Sequence, residues 1–151
     1  MKWKPSETAA SNACRVLPKL AEQYFKSGRT AADGKRSAKA LHQFRVTTKK
    51  FRYALELFRP VYGKSLERRL KALRDLQDIL GKISDHQTIL DVLPKDKQLG
   101  AKVERALKRK SKEFRKAWET FDADGELKQW KSFLNRTRRR ASVRQKQKPP
   151  P

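Results

Sequence analysis

The sequence predicts an all-α protein, an antiparallel four-helix-type bundle with an additional C-terminal helix. Apolar residues recur at helical spacing in several segments, and no segment alternates apolar and polar residues as a half-buried strand does. Turn-forming residues separate these segments, as is typical of bundles with short connections. The length of 151 residues suits one domain. We expect residues 1–140 to form this domain and residues 141–151 to be a disordered, basic, Pro-ended tail.

The dominant feature of the composition is positive charge. The chain has 39 Lys and Arg against 16 Asp and Glu, a net charge of +23. Such an excess attracts polyanions but does not identify one. Cys14 is the single cysteine, which excludes an intrachain disulfide and a cysteine cluster for zinc. No long apolar run or signal-peptide core is present, so we expect a soluble, cytoplasmic protein without membrane contact.

The first helix is predicted over Ser6–Lys26. Pro18 lies inside it and lacks the N–H that the helix ladder uses, so we expect either a kink or a break there. Two glycines predict a loop over Ser27–Arg36, and Ser37 is placed to cap the second helix. That helix is predicted to end around Arg59, because a proline follows and disfavours helical conformation before it.

Capping residues predict the next two helices. Ser65 is placed to open a third helix, and Gly81 suits the residue that closes it. Ser84 and Gln87 form a capping box that opens a short helix, which Pro94 ends.

Two further helices follow in the C-terminal part. The first is predicted over about Asp96–Phe121 and is clearly amphipathic. After a turn at Asp122–Gly125, the last helix is predicted from Glu126 to about Arg140.

The second helix has one apolar and one basic side. Its apolar stripe is formed by Phe44, Phe51, Leu55 and Phe58. On the other side, four groups able to bind an anion fall within an arc of roughly 80°. These are His42, Arg45, Lys49 and Arg52. Arginine offers paired donors and lysine a point charge, so such a row suits a line of phosphates. Alternatively, it is a solvated helix face.

Other basic residues are candidates for the same site. Lys50 flanks the row. On the third helix, Lys71 and Arg74 are second candidates, although Asp75 and Asp78 beside them can hold them in salt bridges. The long fifth helix carries a second basic stripe, for which a binding wall and a solvated face are equally acceptable interpretations. This stripe is Lys102, Arg105, Arg109, Lys112 and Lys116.

His42 has three interpretations: a structural histidine, a metal ligand or an anion donor. No cysteine or carboxylate stands near it at ligand spacing, so we expect no metal site. Beside Arg45 and Lys49, a bound phosphate would favour its charged form. We therefore expect His42 to take up a proton on binding, so that affinity rises as the pH falls towards about 6.

Two blocks of the sequence resemble the CHAD family, α-helical domains named for a conserved histidine. The first is His-x-x-Arg-Val at His42–Val46, followed by Lys49, Lys50 and Arg52. The second is Leu73–Gly81 followed by Asp85. The resemblance is good over Ser37–Leu93 and loose over 96–140.

The resemblance implies a helical domain that binds inorganic polyphosphate through basic residues lining a central groove or pore. Typical members have two related four-helix halves, whereas this chain has the length of about half a CHAD domain. Either one bundle suffices, or two chains pair as a homodimer. We favour the homodimer, since a pore needs two walls.

The leading hypothesis is therefore non-catalytic binding of polyphosphate. Nucleic-acid binding through the same basic surface and the arginine-rich C-terminus is the alternative. The sequence shows no phosphate loop, acidic metal cluster or nucleophile–base pair, so we expect neither an enzyme nor a bound cofactor. We expect the protein in the cytoplasm, with polyphosphate granules as one candidate location.

Overall fold

The computed structural model describes residues 2–34, 38–93 and 97–146, with side chains described through Arg136. In these ranges the chain forms six α-helices. They are α1 (Ala9–Ala32), α2 (Ala38–Leu57), α3 (Arg59–Tyr62), α4 (Glu67–Val92), α5 (Lys97–Phe121) and α6 (Glu126–Lys146). A 3₁₀ turn at Gly63–Leu66 joins α3 to α4.

The helix α1 starts later and ends later than predicted. It begins after Thr8, whose hydroxyl caps it by accepting a hydrogen bond from the Ser11 amide at 3.1 Å. It runs through Pro18 without a break, so the predicted alternative of two segments is wrong. Pro18 and its neighbour Leu17 are buried. The burial of these two side chains offsets the backbone hydrogen bond that Pro18 cannot form.

Gly28 explains why α1 continues where glycines predicted a loop. The residue is buried and helical, and a β-carbon added to it would overlap the indole ring of Trp118. Gly28 therefore allows a close approach of two helices instead of forming a turn. The predicted loop is wrong up to Ala32, while the predicted cap Ser37 lies outside the described residues.

The helix α4 replaces the two helices predicted between residues 65 and 94. It is continuous through Gly81, because Leu80 and Ile83 on either side are buried in the core. A glycine in a helix interior costs only about 1 kcal/mol, which this burial exceeds. The capping box predicted at Ser84 is therefore wrong, and Pro94 lies outside the described residues.

The start of α4 also differs from the prediction. Ser65 does not cap it, since its hydroxyl donates to the carbonyl of Tyr62 at 2.8 Å. Leu66 precedes α4 and provides no side-chain cap. Instead, Leu66 is fully buried, so this turn is held by packing.

The helices surround one core in the order α1, α2, α4, α5. Each packs against its neighbours in this order, and α6 lies along α1. The predicted all-α bundle with an additional C-terminal helix is confirmed, and no strand occurs among the described residues. The helix α6 continues to Lys146, six residues beyond its predicted end; residues 147–151 of the predicted tail lie outside the described residues.

An aromatic cluster at the centre of the bundle sets the directions of the helices. Tyr24 of α1 stacks on Phe44 and Phe51 of α2, with ring centroids 5.1 and 4.7 Å apart. Phe44 also packs against Phe114 and Trp118 of α5. Helices α2 and α5 thus meet across the core, and their solvent-facing sides point away from each other.

Burial dominates the chemistry of Tyr24. It raises the pKa of the phenol well above its ordinary value, although the hydrogen bond with the Thr48 hydroxyl at 3.1 Å acts in the opposite direction.

None of the described helices combines the length and the apolar character needed to cross a bilayer.

Candidate anion-binding site

The predicted row of α2 lies where α2 packs against α4. Nδ1 of His42 is 3.1 Å from the hydroxyl of Ser84, and Nε of Arg52 donates to the amide oxygen of Gln77 at 2.9 Å. The partner residue on α4 has a lower number (77 instead of 84) where the residue on α2 has a higher one (52 instead of 42), so the two helices are antiparallel. We define the α2–α4 surface as His42, Arg45, Lys49 and Arg52 of α2 together with Gln77, Gly81 and Ser84 of α4.

Arg45 lies at the middle of this surface. Its Nε is 3.9 Å from the position that a β-carbon of Gly81 would take, an ordinary contact distance, so the guanidinium packs close to α4 at this point. The same Nε is buried and has no hydrogen-bond partner among the described residues. Buried donors are nearly always paired, so a free one beside other cations is a feature that an anion can satisfy.

Arg52 is held more firmly than Arg45. Besides Gln77, it binds Glu56, with Nη1 2.6 Å from Oε1, and its side chain is only 15% exposed. Arg74 approaches the same Glu56 oxygen at 3.7 Å. Glu56 thus brings the second-rank candidate Arg74 next to Arg52 and partly neutralises both.

Lys49 is the exposed member of the row. Its ammonium lies 5.7 Å from the centre of the Tyr53 ring, and the Arg52 guanidinium lies 4.7 Å from the same ring. Tyr53 itself is 49% exposed to solvent. An aromatic ring therefore stands at the edge of the basic surface, a feature that the sequence analysis did not assign.

A cavity of about 440 Å³ adjoins the His42 end of the surface. Its polar lining includes Lys39, His42, Ser84, Gln87 and Asp91. The Asp91 carboxylate accepts a hydrogen bond from the Gln87 amide at 3.1 Å. Lys39 was missed, although its spacing of three residues before His42 continues the predicted row. The role of Ser84 was also missed, because its sequence pattern indicated a helix cap.

Two predicted candidates lie away from this surface. Lys50 is exposed and stands about 160° round the helix from Arg52, so it is directed away from α4. Lys71 is exposed and forms an ion pair with Asp75 at 2.9 Å, as the sequence analysis allowed.

The basic stripe of α5 does not face the row of α2. All five residues are exposed and occupy the side of α5 opposite to the buried Phe114 and Trp118. Since those two rings contact α2 across the core, the stripe points outward. Within one chain, Lys102, Arg105, Arg109, Lys112 and Lys116 form a separate basic surface, not an opposing wall.

The groups on the α2–α4 surface are hydrogen-bond donors and cations, which suit phosphate oxygens. Among the described residues, no three His, Cys, Asp or Glu side chains come together as metal ligands would.

The family comparison fits this arrangement of helices. No match was found among curated proteins or among solved structures. The family model described as CHAD domain matches residues 2–94, which is more than half of the 151 residues. The match includes both helices of the α2–α4 surface, while α5 and α6 lie beyond it. The chain therefore belongs to the CHAD domain family.

Proposed function

We propose that the protein binds inorganic polyphosphate on the α2–α4 surface and does not chemically transform it. The observation that carries this proposal is the row His42, Arg45, Lys49, Arg52, with the unpaired buried Nε of Arg45 at its middle. From His42 to Arg52 the row is roughly 15 Å long, at about 1.5 Å per residue. It therefore matches a linear polyanion, and family membership implies the same ligand.

The surroundings of the row favour binding over catalysis. Two nearby carboxylates already have partners: Glu56 binds Arg52, and Asp91 accepts from Gln87. A carboxylate held in this way is not poised as a general base, which must reach the proton it removes.

The proposal includes a homodimer and a cytoplasmic location. One chain presents one row on this surface, so a polymer is enclosed only when a second chain supplies the opposite wall. Light scattering on the free and polyphosphate-bound protein would measure the mass, and we expect two chains per complex. A complex with the mass of one chain would show that a single surface suffices.

A matched pair of variants tests the site. Arg45→Gln/Lys49→Gln and Arg109→Gln/Lys112→Gln each lower the net charge from +23 by two, on different surfaces. Hydrogen bonds to charged groups contribute about 1.5–3 kcal/mol each, so the first variant should bind a short polyphosphate roughly a hundredfold more weakly. The second should lose less than about threefold at physiological salt, because distant charges are screened. Equal losses would show general charge attraction and refute the site.

Nucleic-acid binding is the second candidate, and the exposed Tyr53 ring favours it. A ring flanked by Lys49 and Arg52 can stack a base of single-stranded RNA. Competition separates the two ligands: we expect RNA at equal phosphate concentration to leave polyphosphate bound. If RNA displaces it, and Tyr53→Leu weakens RNA binding alone, nucleic acid is the better assignment.

A further inference from the structure

Arg69 occupies an unusual position at the start of α4. Its guanidinium lies 3.9 Å from the centre of the Phe133 ring and 5.5 Å from the centre of the Trp130 ring. Both rings belong to α6 and are buried. The contacts are of the cation–π type and hold the guanidinium in one place. Arg69 is therefore a pre-positioned cation between α4 and α6.

The charge of Arg69 is poorly compensated. Like Arg45, it has a buried Nε with no hydrogen-bond partner among the described residues. Burial lowers the pKa of Arg69, and the nearby charges of Arg68 and Arg136 act in the same direction, while Glu126 opposes them. No described carboxylate forms an ion pair with Arg69 within 4.0 Å. Three arginines thus stand near one glutamate.

A cavity of about 300 Å³ lies beside this cluster. Donors from Arg68, Arg69 and Gln129 line it, together with the Glu126 carboxylate and Thr120, whose hydroxyl donates to the Lys116 carbonyl at 3.3 Å. Trp130 and the end of α5 form apolar parts of the lining. Such a cavity is open to a small anion but offers no continuous row of cations for a polymer. We call it the α4–α6 cavity.

We propose that the α4–α6 cavity binds a small phosphate-class anion, either orthophosphate or the phosphate of a monoester. An anion here would accept hydrogen bonds from the Arg69 Nε and from Arg68, and would neutralise the excess of positive charge. The cavity is separate from the α2–α4 surface, because Arg69 faces α6 while Gln77, Gly81 and Ser84 face α2. It uses helix α6, which lies beyond the family match.

Isothermal titration with orthophosphate and with glycerol phosphate, at an ionic strength held constant with chloride, tests this site. We expect saturable binding of one equivalent by the full chain. Arg69→Gln and Arg68→Gln should each weaken it about tenfold or more, because each removes a charged donor. The matched control is Arg109→Gln/Lys112→Gln, which removes two exposed charges of the α5 stripe and should bind these small anions within about twofold of wild type, since its changes are on another surface.

The variants also separate a folding defect from a lost site. Arg68 is exposed, so Arg68→Gln should fold normally, and circular dichroism of each variant checks this. Tighter binding of orthophosphate than of glycerol phosphate would identify the free anion as the ligand. Tighter binding of glycerol phosphate would identify a phosphate monoester as the ligand. Either outcome supports the cavity as the binding site. No saturable binding of either anion by wild type, or wild-type affinity in folded Arg68→Gln, would overturn the proposal. Loss of polyphosphate binding in Arg45→Gln/Lys49→Gln would leave this result unchanged, so the two sites can fail separately.

Discussion

Replacing Gly28 with alanine should destabilise the protein, although alanine is the better helix former. The substitution places a β-carbon within 2.5 Å of three atoms of the Trp118 indole, where ordinary contacts begin at 3.4 Å. The nearest of these atoms lies 2.0 Å from that β-carbon, so the ring would have to move by about 1.4 Å (3.4 − 2.0). Its contacts with Tyr24, Phe44 and Phe121 resist that movement.

The two opposing effects have different sizes. Overpacking a close-packed core costs about 1–3 kcal/mol, and the upper value applies where several rings hold the displaced one. Alanine returns up to about 1 kcal/mol of helix propensity. The expected net loss is about 2 kcal/mol, which lowers the Tm of a chain of this size by roughly 4–8 °C.

Gly100→Ala in α5 is the matched control. A β-carbon at Gly100 meets no atom within 4 Å, so only the gain in helix propensity remains, up to about 1 kcal/mol. Thermal unfolding followed by circular dichroism measures both variants. If Gly28→Ala were as stable as wild type while Gly100→Ala gained stability, the close packing of Trp118 on α1 would be refuted.

Three further predictions concern the binding surface and the core. Glu56→Gln should strengthen polyphosphate binding by roughly threefold or more, because it removes a carboxylate that neutralises Arg52 and Arg74. Weaker binding of the variant in a titration would mean that the charge of Glu56 is needed to orient Arg52. His42→Ala should remove the rise in affinity expected as the pH falls towards about 6, so identical pH slopes for variant and wild type would contradict a protonation linked to binding. Burial raises the pKa of Tyr24 above its ordinary value of 10 in the folded state, so the folded chain holds this proton more tightly than the unfolded chain. The stabilisation is complete below about pH 10 and is lost as the pH rises above it, and unfolding in denaturant should show a smaller alkaline loss for Tyr24→Phe.

Local periodicity was enough to predict α2 and both of its sides. Phe44 and Leu55 are buried as predicted, because the helical repeat alone sorts these residues onto one face. Gln77 stands at helical spacing between the buried Leu73 and Leu80, yet it is half-buried and binds Arg52. A polar residue on an apolar stripe acquires its role from the opposite helix, which periodicity does not describe.

Glycine and serine were the residues that misled the prediction. Gly28, Gly81 and Ser84 indicated turns and caps, yet all three lie inside helices. Two of them take their role from a contact distant in sequence: Gly28 with Trp118, and Ser84 with His42. Such contacts override local preference because the burial they permit outweighs about 1 kcal/mol of propensity.

The direction of the α5 stripe was also beyond prediction. Its spacing correctly indicated one exposed basic face. Which way that face points depends on the order of the helices around the core, and this order places α4 and α1 between α2 and α5.

The core extends past the end of the family match. Trp118 of α5 lies against Tyr24 and Phe44, and Trp130 of α6 lies against Phe25 and Phe51. A chain cut after residue 94 would expose this aromatic face to water, so the matched segment is not an autonomous folding unit. Any fragment designed to isolate the α2–α4 surface must therefore include the last two helices, at least as far as Leu134, which is fully buried and accepts the Tyr62 hydroxyl hydrogen bond on its carbonyl.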